Sequence, residues 1–317
     1  MEIISRKCIP TSHELICKNS MKREELDFDF GLKEFSFIKI FYDDELSSEA
    51  FDKSLLKRDF ENFCIANKGI SGIFYPQFTQ GKNLSNDEIE IINSMQDTNK
   101  SDIRLIHFIR DESFDDFKNR ANSFMESNND KRLIPVMNIN VRSKNDLIWL
   151  GAKVDYISKT FDECIVNYSN WKMYDEAWKI VSSLLSDINW YIFGLPTSEE
   201  GGFSLILYSL LLGANGTSHK MYRGGGNGKP NPPLFINRDL SLRQLDSCDT
   251  GFAKYGSKDR IEFLTDDGRT SYVRNFAKWD RIVQANLFCK AHQKVEDLSN
   301  IESVKSAIEY FGNNRIS

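Results

Sequence analysis

The strongest constraint in this sequence is a repeated alternation between short apolar runs and longer polar segments with helical spacing. Runs rich in β-branched and aromatic residues predict strands, and seven of them centre on residues 37–41, 70–74, 103–108, 133–138, 154–157, 190–193 and 214–218. A weaker run at residues 2–4 would be an eighth. The segments between them predict helices over residues 47–66, 87–95, 113–125, 144–150, 174–185 and 199–212.

Strand and helix alternate at roughly 20 to 35 residues per unit, which is typical of parallel strands joined by crossover helices. A doubly wound open sheet and a (β/α)8 barrel both satisfy this rhythm. Eight strand runs favour the barrel. We therefore predict an α/β fold, a (β/α)8 TIM-type barrel over residues 1–222 with a C-terminal loop-rich and helical extension.

The alternation stops near residue 220. Residues 223–233 hold four of the 18 glycines and three of the seven prolines, which is typical of a loop. A phosphate cradle is disfavoured there because Arg223 stands where the Walker pattern needs glycine, and Pro230 follows the lysine. We predict that residues 223–275 form an insertion and an irregular or hairpin segment near the barrel mouth. Residues 276–317 are predicted to be helices that pack on the barrel.

Composition narrows the classes of partner. A net charge of −5 and a pI near 5.6 argue against a protein whose main task is to grip a phosphate backbone. The longest apolar stretch, residues 203–212, is about half the roughly 20 residues that a membrane helix requires. The first residues lack the apolar segment of a secretory signal, so we expect a cytoplasmic protein. Six cysteines and four histidines are dispersed, and we predict neither a metal site nor a cofactor.

Candidate site residues follow from the barrel prediction, because active sites lie at the carboxyl ends of the strands. Asn138 and Asn140 alternate along one strand and therefore face the same side, where two amides could read the edge of a base or satisfy backbone groups. Asp246 and Asp249 are three residues apart and could supply a nucleophile or a general acid and base, or could simply order a turn.

One stretch resembles the end of the barrel of the tRNA-guanine transglycosylases. Residues 190–196 would form a strand that ends in Gly194, a helix follows through residue 212, and residues 213–218 form the next strand. In that superfamily the next strand carries an aspartate nucleophile. The chain is similar in size to short members that act in DNA 7-deazaguanine modification and in antiviral operons.

The resemblance implies a protein that binds a guanine or 7-deazaguanine base. The pocket would be lined by polar residues at the strand ends, namely Asn138, Asn140, Ser218, His219 and Arg223. Ser218 stands where the family has its nucleophile, and the family's cysteine-rich zinc site has no counterpart here. Either Asp246 or Asp249 replaces the nucleophile, or the base pocket remains and exchange chemistry is lost.

Three functions therefore stay open at this point. The first is a transglycosylase-like protein that binds the base and exchanges it on a nucleic acid or conjugate. The second is a non-catalytic modified-base-binding or adaptor protein of a defence or modification system, with nucleic acid or a modified partner protein as its target. The third is an unrelated barrel enzyme acting on a phosphorylated small molecule, because phosphate sites are frequent near the last two barrel strands.

Overall fold

A computed structural model describes the segments that form the sheet and its neighbouring helices. The described residues are 14–18, 35–42, 72–77, 103–107, 112–127, 131–139, 141, 143–167, 175–195, 213–219, 234–239, 241–250, 254–255 and 258–265, together with the single helical positions 58, 62, 87, 90, 277, 280, 281, 284 and 287. The outer strands and the C-terminal segment are thus described in part, and the region from β4 to β7 most fully.

Among the residues that the structure describes, eight parallel strands form one sheet. Their bounds are β1 Glu14–Lys18, β2 Phe35–Tyr42, β3 Gly72–Gln77, β4 Ile103–His107, β5 Arg132–Asn138, β6 Glu163–Asn167, β7 Asn189–Leu195 and β8 Gly216–His219. The order across the sheet is β3-β2-β1-β8-β7-β6-β5-β4, and every pairing is parallel. The predicted α/β class is confirmed.

The strand order follows the chain in a single direction. Neighbours in sequence are neighbours in the sheet, except β3 and β4, which stand at its two ends. The first strand pairs with the eighth, with Glu14 opposite Gly216 and Leu15 opposite Thr217. A doubly wound sheet reverses its direction at a switch point. This sheet has no such reversal in its strand order, so it differs from the doubly wound alternative.

Three helices follow β4, β5 and β6. They are α1 Phe114–Ser127, α2 Lys144–Thr160 and α3 Asp175–Leu184. Their apolar sides bury alternate residues of the strands in one core cluster, which includes Ile106, Cys164, Val166, Trp190 and Ile192 from the sheet and Phe117, Val154, Trp178 and Val181 from the helices. This is the helix-covered face of the sheet.

The other face of the sheet is buried as well. Residues that alternate with the helix-covered set are buried but lie outside its core cluster, namely Ile103, Leu105, Ile134, Val136, Ile165, Tyr191 and Phe193. Strand β7 is buried at four successive positions, from Trp190 to Phe193. Burial on both faces is characteristic of parallel sheets that are covered on both sides.

One strand prediction is wrong. Residues 154–157 lie inside α2, and the strand at this place in the order is β6, Glu163–Asn167. Leu150, Val154 and Ile157 are buried at spacings of four and three residues, which places them on one side of a helix. Val154 and Ile157 suit a strand by residue type, but their spacing of three residues also places them on one face of a helix. The chain forms the helix here.

The remaining strand predictions agree with the sheet, except at the N-terminus. β1 is formed by residues 14–18, and the predicted weak strand at residues 2–4 lies outside the described residues. The predicted helices over 113–125 and 174–185 are confirmed as α1 and α3, and the one predicted over 144–150 extends to Thr160. The predicted helix over 199–212 lies outside the described residues.

Two small hairpins occupy the C-terminal segment, as the predicted hairpin structure allowed. β9 Phe235–Ile236 pairs with β10 Leu242–Arg243, and β11 Lys254–Tyr255 pairs with β12 Lys258–Asp259. A 3₁₀-helix, Leu245–Ser247, lies between the hairpins, and α4, Arg260–Thr265, follows them. The described positions from 277 to 287 are helical, in agreement with the predicted closing helix.

The interior of this segment contains charged and polar side chains beside its apolar ones. Arg260 is fully buried and forms a bidentate ion pair with Asp280, which is also fully buried. Arg281 and Gln284 are buried beside Asp280 along the same helix.

The predicted domain boundaries at residues 222 and 275 stay predictions.

Candidate functional site

The carboxyl ends of β5 and β6 carry two neighbouring asparagines. Asn138 is the last residue of β5 and Asn167 is the last residue of β6, and their Cα atoms lie opposite each other in the sheet register. Asn167 in turn lies opposite Phe193 of β7. Two asparagines and a phenylalanine therefore occupy neighbouring register positions at the edge where barrel active sites lie.

Asn167 is deeply buried, with 3% of its surface exposed. A carboxamide offers both a donor group and an acceptor oxygen, and a buried one requires hydrogen-bond partners. The sequence interpretation missed this residue because it placed the strand at residues 154–157. The signal was present in the short apolar run Cys164–Val166, which ends directly in asparagine.

His107 ends β4 one row deeper. Its Cα lies opposite Val136, which lies opposite Ile165, and the side chain is 2% exposed. Burial, and to a smaller extent the positive charge of Arg120, lowers the pKa of the imidazole to about 3. The ring is therefore neutral at physiological pH, with one nitrogen as donor and the other as acceptor.

An ion pair fixes the backbone where β4 ends. The Arg120 guanidinium donates through Nη2 to the His107 carbonyl oxygen at 2.5 Å. It also binds the Glu112 carboxylate, with Nε to Oε1 at 2.8 Å and Nη2 to Oε2 at 2.8 Å. The Glu112 side chain is only 8% exposed, so this pair is well shielded from water. The position of His107 is thus held by a rigid, charge-assisted contact.

The helices that start at this edge are capped by their own side chains. In α2, the Ser143 hydroxyl accepts the Asp146 N–H at 3.3 Å, and the Asp146 carboxylate accepts the Ser143 N–H at 2.8 Å. In α1, the Ser113 hydroxyl accepts the Asp116 N–H at 3.1 Å and donates to the Asp116 carboxylate at 2.6 Å. Each helix therefore begins with an aspartate in its first turn.

A second polar network lies at the opposite, amino end of the same strands. Arg132 donates to Glu163 through Nη2 at 2.5 Å and through Nε at 3.1 Å, and the Tyr191 hydroxyl donates to Glu163 Oε1 at 3.1 Å. These three residues belong to β5, β6 and β7. We call this set the amino-end brace, because it joins three strands away from the candidate site.

The sequence-predicted pocket residues fall into two groups. Asn138, Ser218 and His219 lie at the carboxyl ends of β5 and β8, so the sheet brings them to one edge. His219 lies opposite Leu195 of β7. Asn140 and Arg223 lie outside the described residues. The binding role of all five stays a prediction.

The two predicted catalytic aspartates lie in the C-terminal segment. Asp246 is exposed in the 3₁₀-helix, and Asp249 is half-buried just after it. The Asp249 carboxylate accepts the Arg238 N–H at 2.9 Å, and its Oδ1 lies 4.0 Å from Arg260 Nη1. Asp249 also donates its own N–H to Asn237 at 2.8 Å. These contacts order the loop locally, and the nucleophilic role of either aspartate stays a prediction.

Two further observations concern the described part of the chain only. It contains no group of three or more histidine, cysteine, aspartate or glutamate side chains arranged to hold a metal ion. Its helices include none with the length and apolar character needed to cross a lipid bilayer.

No family model matches the chain, and no curated protein matches it. Among solved structures it is similar to the catalytic domain of a hyperthermophilic chitinase from Pyrococcus furiosus, with 8% sequence identity and a TM-score of 0.36 over 67% of this chain and 85% of that chain. This likeness is too low to indicate a shared function. The resemblance to transglycosylases stays a prediction.

Proposed function

We propose that the sheet closes into a (β/α)8 barrel that binds a guanine or 7-deazaguanine base at the carboxyl ends of its strands. The order β4 to β8 followed by β1 to β3 is the order of a barrel opened between β3 and β4. Closure would make the face opposite the helices an interior, which accounts for buried residues such as Leu105, Val136 and Ile165.

The observation that carries the binding proposal is the register of Asn138 and Asn167. Asparagine pairs with the mixed donor and acceptor edge of a purine when it reads a base, and two asparagines occupy paired register positions here. Phe193, in the next register position, adds an apolar aromatic residue to the same row. Flat heterocycles are bound where an apolar wall meets a few convergent polar groups.

Base exchange is the catalytic form of this proposal. Asp246 or Asp249 would attack C1′ of the ribose as the bond from C1′ to the base nitrogen breaks, and a second base would then displace the carboxylate. This reaction requires the C-terminal segment to bring a carboxylate to the pocket. Replacement of both aspartates by asparagine should then abolish turnover on a base-containing nucleic acid without loss of folding.

The second candidate is a non-catalytic base-binding or adaptor protein of a defence or modification system. It is favoured by the contacts of Asp249, because the backbone of Arg238 already occupies one carboxylate oxygen. Such a protein would recognise the base on a nucleic acid or on a modified partner. Tight binding of the free base with no release of base from any nucleic acid, in the unaltered chain, would support this candidate over exchange.

Calorimetric titration tests the binding site directly. Guanine and a 7-deazaguanine base are titrated into the wild-type protein and into Asn138→Ala and Asn167→Ala variants. Loss of a hydrogen-bonding group in a buried site costs about 1–3 kcal/mol, so we expect affinity to fall about fivefold or more in each variant.

Asn189→Ala is the matched control. Asn189 is exposed and starts β7 at the amino end, so its loss should leave base binding unchanged. Thermal unfolding of each variant separates lost binding from lost folding. Absence of base binding in the wild type, or equal binding by both site variants and the control, would contradict the proposal.

A further inference from the structure

His107 lies on the inner face of the sheet, which is the face opposite the helices. Two neighbours on β4 mark the helix-covered face. The guanidinium carbon of Arg104 lies 4.1 Å from the centre of the Phe124 ring of α1, and Ile106 belongs to the helix-covered core. Because alternate residues of a strand point to opposite faces, His107 shares the inner face with Leu105.

The strand register places His107 one layer below the two asparagines of the proposed site. Its Cα lies opposite Val136, and Val136 lies opposite Ile165. Asn138 and Asn167 come two residues later on the same two strands, which is a rise of about 7 Å. His107 and Asn167 are therefore two strand spacings apart, about 10 Å, and differ by one layer in depth.

The described part of this deeper layer is mostly apolar. Val136 and Ile165 are buried, and Tyr191, which lies opposite Ile165, directs its hydroxyl to Glu163 of the amino-end brace. The neutral imidazole of His107 adds one donor and one acceptor nitrogen to this layer. A hydrogen bond from a ring that is 2% exposed is shielded from water and is stronger than one at the surface.

The backbone that carries this ring is fixed. Arg120 Nη2 donates to the His107 carbonyl oxygen, and the same guanidinium binds the shielded Glu112 carboxylate. A group that is held in place before the ligand arrives loses little conformational freedom on binding. His107 therefore has the preorganisation that a recognition residue requires.

A base that is attached to ribose enters such a pocket with a particular edge first. Its N9 atom is bonded to the sugar, so the sugar and the rest of the nucleic acid stay at the mouth. The opposite edge of guanine or 7-deazaguanine carries N1 and the oxygen on C6, and this edge points inward. Proteins that bind an extruded base read this Watson–Crick edge through hydrogen bonds.

We infer that the imidazole of His107 binds the N1 and C6 edge of the base, below Asn138 and Asn167, which bind the parts nearer the mouth. The inference rests on the proposed function, because it concerns the same pocket. It makes His107 a residue that determines specificity, since a base altered at N1 meets the imidazole whereas a base altered at N9 does not.

Calorimetric titration with methylated bases tests this assignment. The parent base is guanine, or 7-deazaguanine if the wild type binds it more tightly, and the probes are its N1-methyl and N9-methyl derivatives. The N9-methyl group points to the mouth, so the wild type should bind this derivative within about twofold of the parent. The N1-methyl derivative lacks the proton on N1 and carries extra volume there, so its affinity should be lower by about fivefold or more.

The variant His107→Ala removes the hydrogen bond and opens space for the N1-methyl group. Affinity for the parent base should fall by about fivefold or more, while the preference for the parent over the N1-methyl derivative should shrink to less than about twofold. His107→Gln keeps a donor and an acceptor and should keep the wild-type order of the three ligands. Asn167→Ala is the matched comparison, because it should weaken all three ligands about equally.

The outcomes separate this inference from the proposed function. If the wild type binds the N1-methyl derivative as tightly as the parent base, the inference is overturned and the base site stands; this comparison needs no variant. An equal loss of all three ligands in His107→Ala also overturns it, because the role of His107 is then only structural. Loss of the N1 preference in Asn167→Ala overturns it as well. Absence of binding by both parent bases overturns the proposed function and the inference together.

Discussion

At the scale of single residues, His107 couples its ionisation to folding. The side chain is buried at the end of β4, and the guanidinium of Arg120 lies against the backbone of the same residue. Both features disfavour the imidazolium, whereas an unfolded chain leaves the ring in water with a pKa of about 6.5. The folded protein therefore resists a protonation that the unfolded chain accepts readily.

Stability should consequently fall with acidity in a defined window. Between pH 6.5 and about pH 3 the unfolded chain binds one more proton at His107 than the folded protein, so the free energy of unfolding decreases as pH falls. One proton corresponds to about 1.4 kcal/mol per pH unit. Urea unfolding at pH 4, 5, 6 and 7 should show this slope reduced by about that amount in His107→Gln. Equal slopes in wild type and variant would contradict the assignment.

At the scale of elements, the start of α2 depends on one hydroxyl group. Ser143 accepts the Asp146 N–H and completes a reciprocal cap with its carboxylate. Loss of an N-cap side chain costs about 0.5–2 kcal/mol, so Ser143→Ala should lower the free energy of unfolding by about 1 kcal/mol. Ser158→Ala is the control, because Ser158 donates only to the Asp155 carbonyl within the same helix and should change stability by less than about 0.5 kcal/mol. A loss of unfolding free energy in Ser158→Ala larger than that in Ser143→Ala would contradict the stabilising role of the cap.

The buried pair Arg260–Asp280 joins α4 to a helix twenty residues later in the chain. Removal of one partner leaves an uncompensated buried charge, so Asp280→Ala should cost about 3–5 kcal/mol by urea unfolding. The apolar double variant Arg260→Met with Asp280→Leu should recover much of this loss. Arg238→Ala is the exposed control and should cost less than about 1 kcal/mol. A double variant no more stable than Asp280→Ala would contradict this account.

At the scale of the whole molecule, closure predicts a pattern of amide protection. In a closed barrel the amides of β3 and β4 that point away from β2 and β5 also have strand partners, whereas in an open sheet they form exposed edges. We expect slow hydrogen exchange at consecutive amides of residues 73–75 and 104–106, at rates similar to those of β6. Fast exchange at alternate residues of β3 and β4, with slow exchange in β6, would indicate an open sheet.

The sequence predicted the class of fold because five of the eight strands, β2, β3, β4, β5 and β7, contain apolar runs that include β-branched or aromatic residues. It misplaced the sixth strand because residues 154–157 fit a strand and a helix equally well in isolation, and the choice is made by packing against the sheet. The pairing of β1 with β8 has no local signal, since it joins residues about two hundred positions apart. Only tertiary contacts decide such a pairing.

The candidate site could also be predicted from the sequence only in part. Asn138 was found because strand alternation marks it, but its neighbour Asn167 depends on the register between β5 and β6, which no single strand encodes. The contacts of Asp249 could not be predicted from the sequence either, because Arg238 and Arg260 each lie 11 residues away along the chain and reach it only through the fold. The sequence of Asp246, Ser247 and Asp249 is the same for a catalytic turn and for a structural one, so it does not distinguish the two roles.

The amino-end brace has a consequence for how this chain can change over evolutionary time. Arg132, Glu163 and Tyr191 tie three strands together, and Glu163 lies four residues, or roughly 13 Å, from Asn167 along β6. Substitutions in the loops that leave β5 and β6 therefore act far from the contacts of the brace. The carboxyl edge can therefore change in sequence while the brace keeps the three strands joined.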